Sequence, residues 1–206
     1  GNQSIALLSE VEIHFELDST NRHLLALAKK GAASGRVCFA EYQFDGRGRR
    51  GRKWVSPLGR NIYLSILWHF TDMAHSLGGL SLVVGVALAR SLKQIGLHDV
   101  ELKWPNDIYW HGMKLGGILL ETFGEASGPC CVVIGVGLNV QMDDASGDDI
   151  DQPWVDLNTA TRHAVSRNHL AGIMIDNIIQ ALRDFDRFGL ECYIAEFQSC
   201  DAIFGK

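Results

Sequence analysis

The sequence predicts an α+β fold, a mixed and largely antiparallel sheet with helices packed on it. Three observations carry that expectation. Strand-like segments come in runs, with hairpin spacing through the middle of the chain. Helical periodicity interrupts those runs at only a few places, unlike the regular strand–helix alternation of a parallel winding. A glycine-rich nucleotide fingerprint opening a helix is absent, because the glycines that follow a strand lead into "RRGRKWVSP", which ends on a proline.

Taken in order, residues 11–15 alternate as a strand. "LDSTNRHLLALAKKGAASG" then reads as a helix with Asp18 or Ser19 as N-cap, Leu24, Leu27 and Ala28 on one face and Gly31 as the stop. "RVCFAEY", residues 36–42, is a second strand, and "NIYLSILWHF", residues 61–70, a third, rich in β-branched and aromatic side chains. From about residue 75 to 95, Leu77, Leu80, Val84, Leu88 and Leu92 recur every three or four positions, predicting a helix that ends at Gly96. Short strands follow around "VELKW", "IYWHG", "MKLGGILLET" and "CCVVIGVGLNV". Residues 143–156, acidic and rich in turn formers, read as a surface excursion. Leu170, Ile173, Met174, Ile178, Leu182 and Phe185 mark another amphipathic helix, and a last short one covers residues 191–198.

The 206 residues suffice for one main domain, and 47% hydrophobic with 21% charged residues is the composition of a folded chain. A net charge of -5 gives no overall attraction to nucleic acid or anionic membrane, so any affinity for phosphate must be local. Cys38, Cys130, Cys131, Cys192 and Cys200 form no C-x-x-C pair, which predicts reduced thiols and neither a zinc site nor a disulfide framework. The longest uncharged stretch in the first half, residues 73–89, falls short of the ~20 apolar residues a membrane span needs. The opening residues Gly1-Asn2-Gln3-Ser4 carry no signal-peptide pattern, and the expected location is the cytoplasm.

Three stretches could carry chemistry. "FDGRGRRGRKWVSP" places Arg47, Arg49, Arg50, Arg52 and Lys53 between glycines. Backbone N–H groups of such a turn can cradle an anion while arginine forks add bidentate bonds; the same run is also compatible with a solvated basic loop or generic RNA binding, with Trp54 free to stack on a base. "LKWPNDIYWHGMKLGGILLE" offers Lys103, Asn106, Asp107 and Lys114 ahead of Gly116-Gly117, as an anion site or as ordinary surface and turn residues. In "VVIGVGLNV", Gly135 and Gly137 clear one face of a strand, with Asn139 on that same face, making room for a flat ligand or for a closely packed helix.

Together "DSTN", "EYQFDGRGRRGRKW", "KWPND", "KLGGILLE" and "IGVGLN", in this order and spacing, resemble the catalytic domain of bacterial biotin protein ligases (biotin–[acetyl-CoA-carboxylase] ligases), over about residues 11–200. The resemblance implies a sheet of the class II aminoacyl-tRNA synthetase-like biotin/lipoate ligase fold. It implies an ATP-dependent, AMP-forming enzyme that makes biotinyl-5′-AMP and passes biotin to a lysine of the biotin carboxyl carrier protein of acetyl-CoA carboxylase. By the resemblance, Ser19, Thr20, Gln43, Gly46, Gly116, Gly135 and Gly137 bind biotin, and Arg47 and Arg49 hold its carboxylate and the phosphate. Lys114 stabilises the reacting carboxyl oxygen, making Arg49 and Lys114 the catalytic pair. Arg52, Trp54, Asn106, Asp107 and Asn139 complete the ATP and adenylate side. Mg2+ would ride on ATP and water, with no metal-ligating residue assigned.

Family members commonly form homodimers by extending the sheet edge to edge. Many also carry an N-terminal winged helix-turn-helix and a C-terminal SH3-like barrel. Here the first motif begins at Asp18, so no DNA-binding domain and no DNA binding are expected, and residues 201–206 would only begin the barrel after a catalytic domain over 1–200. A lipoate-type ligase, a truncated biotin-binding domain with impaired catalysis and a nucleic-acid module are the competing readings.

Overall fold

Seven strands form one sheet in the computed structural model, which describes residues 6–70, 77–124, 130–143, 147 and 150–202. The elements are β1 (Glu10–Leu17), α1 (Thr20–Ala28), β2 (Arg36–Gln43), β3 (Ile62–Phe70), α2 (Leu80–Gln94), β4 (Val100–Lys103), β5 (Asp107–Trp110), β6 (Met113–Gly124), β7 (Cys130–Leu138), α3 (Leu157–Thr161), α4 (Arg167–Phe188) and α5 (Glu191–Cys200). The strand order is β1-β2-β3-β7-β6-β5-β4. Because α1 crosses over between them, β1 and β2 run parallel; every other neighbouring pair is antiparallel, as the runs of strands imply.

Helices cover both faces, so the central strands bury both sets of side chains. On β3, Ile62, Leu64, Ile66 and Trp68 join the larger core with α2 and α4, while Leu67 turns to the smaller cluster of Leu24, Ala28, Cys38, Cys131 and Val133 under α1. The longest helix, α4, delivers Leu170, Met174, Ile178, Leu182 and Phe185, each at most 1% exposed. Their spacing of three or four residues makes one stripe, and burying each such side chain stabilises the fold by roughly 1.5–3 kcal/mol.

Ser19 is the N-cap of α1, its side chain accepting from the Arg22 N–H, and Gly31 takes a left-handed φ of 82° just past the helix. The helix expected from residue 75 is described from Leu80; residues 71–76 lie outside the described residues. The surface excursion expected over 143–156 is corrected at its C-terminal end. There the Lys114 N–H donates to the Pro153 carbonyl (2.9 Å), the Val155 N–H donates to the Lys114 carbonyl (3.0 Å), and Val155 and Asp156 are buried. Asp156 is not solvated, because its carboxylate accepts from the Met142 N–H (2.7 Å) and from the Thr159 N–H (2.8 Å) at the start of α3. Residues 144–146 and 148–149 of that segment lie outside the described residues.

All five cysteines are free. Burial pushes the Cys38 thiol up to about 12 and the Cys131 thiol up to about 11, so with no cation bound both carry their protons at neutral pH. Among the described residues no helix is long and apolar enough to cross a membrane.

Candidate active site

The site grows from a gap in the sheet. Gly117 of β6 and Gly137 of β7 are cross-strand partners, and Gly135 lies two residues along on the same face. Of the alternatives raised by the glycine spacing, close packing of a helix is realised at Gly135, while the space over Gly137 is taken by a side chain of the protein itself. A Cβ on Gly135 would collide with Asn21 Oδ1 at the start of α1, and one on Gly137 would sit 2.5 Å from Trp54 Cε2. Thus one glycine admits the helix and the other a flat indole ring. Asn139 closes the row, buried, its Nδ2 donating to the Val155 carbonyl (3.2 Å).

Beside that floor the start of α1 makes a buried polar cluster. Thr20 donates to Gln43 Oε1 from its backbone N–H (2.9 Å) and its hydroxyl (3.1 Å), and Gln43 Nε2 donates to Ser56 Oγ (3.3 Å). Ser65 Oγ donates to Asn21 Oδ1 (2.6 Å) and lies 2.7 Å from Thr20 Oγ1. Asn21 Nδ2 donates to Glu121 Oε2 (2.9 Å) and the Leu119 carbonyl (3.3 Å). Each bond is worth only ~0.5–1.5 kcal/mol net, yet leaving one such buried group unpaired costs ~1–3 kcal/mol, so the cluster holds its members in fixed directions.

The basic segment is a folded hairpin. Arg47 bridges Lys53, the Gly48 N–H donates to the Arg52 carbonyl (2.7 Å), and the Trp54 N–H donates to the Gly46 carbonyl (2.9 Å). Its tip is the 3-10 turn Arg49–Gly51, with Arg50 at φ 56° and Gly51 at φ 74°. Arg49 NH1 donates across to Asn106 Oδ1 (2.9 Å), and Asn106 is locked to β6 through Nδ2 and the Ile118 carbonyl (2.8 Å). That asparagine follows a cis Trp104–Pro105 bond in the β4–β5 turn. Between the walls, Lys114 Nζ pairs with Asp107 Oδ1 (2.9 Å) and lies 5.7 Å from the Trp54 ring centre. The Lys114 side chain is 13% exposed, so its charge faces the interior of a cleft of about 770 Å³. Cations from the hairpin and from β6 therefore line the same cleft as the hydroxyls and amides at the start of α1, a lining suited to a ligand with an anionic group and a polar uncharged part.

Residues 14–139 match the biotin/lipoate A/B protein ligase family. The chain belongs to that family. The bifunctional ligase/repressor BirA of Escherichia coli (strain K12) is 40% identical over 190 residues, which are 92% of this chain and 59% of that protein. The biotin–[acetyl-CoA-carboxylase] ligase of Paracoccus denitrificans is 33% identical over 176 residues, 84% of this chain and 72% of its own length. The solved biotin protein ligase from Aquifex aeolicus in complex with biotin and ATP superposes with a TM-score of 0.83 at 26% identity, covering 97% of this chain and 81% of that one.

In this ligase-family chain the cleft brings together Ser19, Thr20, Gln43, Arg47, Arg49, Arg52, Trp54, Asn106, Asp107, Lys114, Gly135, Gly137 and Asn139. Two glycines named from the sequence stand elsewhere. Gly116 is off the wall, because the pleat turns it away from Gly117; its Cβ would meet the Gly137 carbonyl oxygen at 2.8 Å and Leu138 Cδ1 at 3.0 Å. Gly46 is buried inside the hairpin, where a Cβ would lie 2.6 Å from the Trp54 carbonyl oxygen and 2.7 Å from Ser56 Oγ. Lys103 also stands apart, its Nζ 4.9 Å from the Tyr109 ring centre. Asn21, Gly117, Trp104 and Trp154 line the cleft and were missed. Gly117 became assignable only with the β6–β7 register, which pairs it with Gly137.

Proposed function

We propose that this chain carries the ligase chemistry of biotin protein ligases, joining biotin and ATP to biotinyl-5′-AMP with release of pyrophosphate and then passing biotin to a carrier lysine. The observation that carries this reading is that Arg47, Arg49 and Lys114 line one cleft together with Gly135, Gly137 and the hydrogen-bonded cluster of Thr20 and Gln43. Similarity to the Aquifex aeolicus protein, solved with biotin and ATP, supports it. The chain spans 59% of the length of the Escherichia coli relative, so the activity is proposed for this portion on its own residues.

The first half-reaction must bring a carboxylate to the α-phosphorus of a polyanion. Arg47 and Arg49 offset the repulsion of the two anions, while Lys114 donates to the carboxyl oxygen as charge redistributes at the transition state. Ser19, Thr20 and Gln43 offer donors and acceptors for the ureido ring. Trp54 and the Arg47–Arg52 hairpin cover the adenylate, and its enclosure keeps water from a hydrolysable mixed anhydride. Trp54 Nε1 is buried over Gly137 without a hydrogen-bond partner. In the second half-reaction a lysine amine attacks the acyl carbon and AMP leaves.

Mg2+ fits as a companion of ATP. Asp107 and Asp151 line the cleft, and Asp107 Oδ1 is already paired with Lys114, so the triphosphate and water would supply most of the ion's oxygens. The carrier is proposed to be the biotin carboxyl carrier protein of acetyl-CoA carboxylase, the partner implied by the relative's name, and the setting the cytoplasm. Calorimetric titration with biotin, repeated with lipoic acid as competitor, tests the specificity: saturable biotin binding undisturbed by lipoic acid is expected, and preferential binding of lipoic acid would transfer the reading to a lipoate ligase.

A further inference from the structure

Away from the cleft, beneath the flank of α1, three elements bring His14 of β1, His23 of α1 and Cys38 of β2 together, with one donor atom from each within 4.8 Å of the others. We propose that these three side chains and Glu12 form a binding site for a divalent cation of the zinc type, distinct from the ligase cleft. Two imidazoles, a thiolate and a carboxylate are the donors zinc takes in tetrahedral geometry at about 2.0–2.3 Å. Donors on such a tetrahedron stand roughly 3.4–3.8 Å apart, so the two histidines and the cysteine need to close by at most about 1 Å, while Glu12 Oε2 already lies within that spacing of both rings.

The backbone prepares this arrangement. In the parallel β1–β2 register Glu12 is the partner of Cys38 and His14 of Ala40, which sets Glu12, His14 and Cys38 on the face that α1 covers. Glu12 Oε2 already sits between the two rings, 3.1 Å from His14 Nε2 and 2.9 Å from His23 Nε2, and the rings meet edge to face at 4.9 Å. Arg36 occupies the other oxygen, Oε1, at 2.8 Å and pairs with Glu10 at 2.5 Å. The polarity of β1 is inverted relative to ordinary packing. Its apolar residues Val11, Ile13 and Phe15 are 48%, 73% and 70% exposed, while the glutamate and histidine lie on the helix-covered face.

Charge closes as well. The cation replaces the Cys38 thiol proton, which leaves to solvent, and the two imidazoles coordinate as neutral ligands. One thiolate and one carboxylate then neutralise the dication, and Glu10 balances Arg36. Cys38 is fully buried, whereas the side chains of His14 and His23 are 31% and 25% exposed and give the ion its entry. Occupancy would staple α1, whose N-terminus carries Ser19, Thr20 and Asn21, to the edge strand β1 and its neighbour β2.

The test uses the whole chain, reduced and stripped with a chelator, titrated with Co2+ and then Zn2+. One equivalent of Co2+ should give a thiolate-to-cobalt charge-transfer band and the intense visible bands of four-coordinate cobalt, both displaced by one equivalent of Zn2+. Cys38→Ser should lose the charge-transfer band, and His14→Gln or His23→Gln should weaken Co2+ binding at least about tenfold. Zn2+ should raise the melting midpoint of the parent chain and leave that of His14→Gln unchanged, a readout at a part-exposed position that does not depend on Cys38→Ser folding. Absence of the band, its persistence in Cys38→Ser through the exposed Cys192, or equal affinity in the histidine variants would overturn the site. None of these readouts depends on biotin or ATP, so failure of the ligase reading would leave this result standing.

Discussion

Arg49 is exposed and reaches across the mouth of the cleft to Asn106, whereas Gly137 lies on its floor beneath Trp54, and the two make opposite predictions. Arg49→Gly should change stability by no more than ~0.5 kcal/mol, the usual range for an exposed side chain. It should still form adenylate but release it, because a guanidinium that closes the hairpin over the phosphate is gone. Equal retention of labelled adenylate by variant and parent in a dialysis assay would contradict this. Gly137→Ala should instead drive a methyl into the indole, with an overpacking cost of ~1–3 kcal/mol. Biotin affinity is expected to fall about tenfold, which corresponds to ~1.4 kcal/mol, and calorimetry would show an unchanged affinity if the floor is not where the ligand lies. At this scale the sequence was legible where a residue's chemistry is local. The neighbourhoods of Lys114 and the arginines and the spacing of Gly135 and Gly137 marked them as candidates beside ordinary surface and packing readings, and the family resemblance assigned their roles. The resemblance puts Gly116 at the biotin pocket; the pleat, which sends neighbours to opposite faces, turns Gly117 to the cleft instead.

Elements with a strong period were readable nearly to their ends. The stripe on α4 and the run of β3 are set by burial on a regular backbone, and the glycine after α1 marks its stop. Segments held by backbone groups distant in sequence were not. Val155 and Asp156 pack because Lys114 of β6 and Met142 hydrogen-bond to them, and no composition rule contains that. The cysteine spacing likewise gave no metal signal, since His14, His23 and Cys38 meet only through the β1–α1–β2 crossover. The attachment of α5 offers a prediction in pH. Arg90 of α2 chelates Glu196 of α5 through Nε (2.9 Å) and NH2 (2.5 Å), and its guanidinium lies 5.2 Å from the Tyr193 ring centre. Hydrogen bonds from Arg90 hold the Glu196 carboxyl below the ordinary glutamate range, outweighing burial. A depressed folded value means the contribution is complete above the unfolded value of about 4.3 and is lost as pH falls below it through the folded value. The melting midpoint of the parent chain should therefore exceed that of Glu196→Gln at pH 7, with the gap narrowing in acid; a gap independent of pH would assign the effect to packing alone.

For the molecule as a whole, class and topology separate. The mixed, mostly antiparallel sheet was visible from the runs of strands, but the order that inserts β7 between β3 and β6 was not, because long-range pairing is set by which faces must be buried together. That order is what brings Lys114 of β6, the hairpin after β2 and the start of α1 around one glycine floor. The central claim is that this assembly activates a carboxylate with ATP, and the most direct test is exchange of labelled pyrophosphate into ATP by the 206-residue chain with magnesium. Exchange should require biotin, should not be supported by lipoate, and should fall at least ~100-fold in Lys114→Met, the loss typical of removing one transition-state donor. Exchange supported by lipoate and not by biotin, or undiminished exchange in Lys114→Met, would contradict that claim.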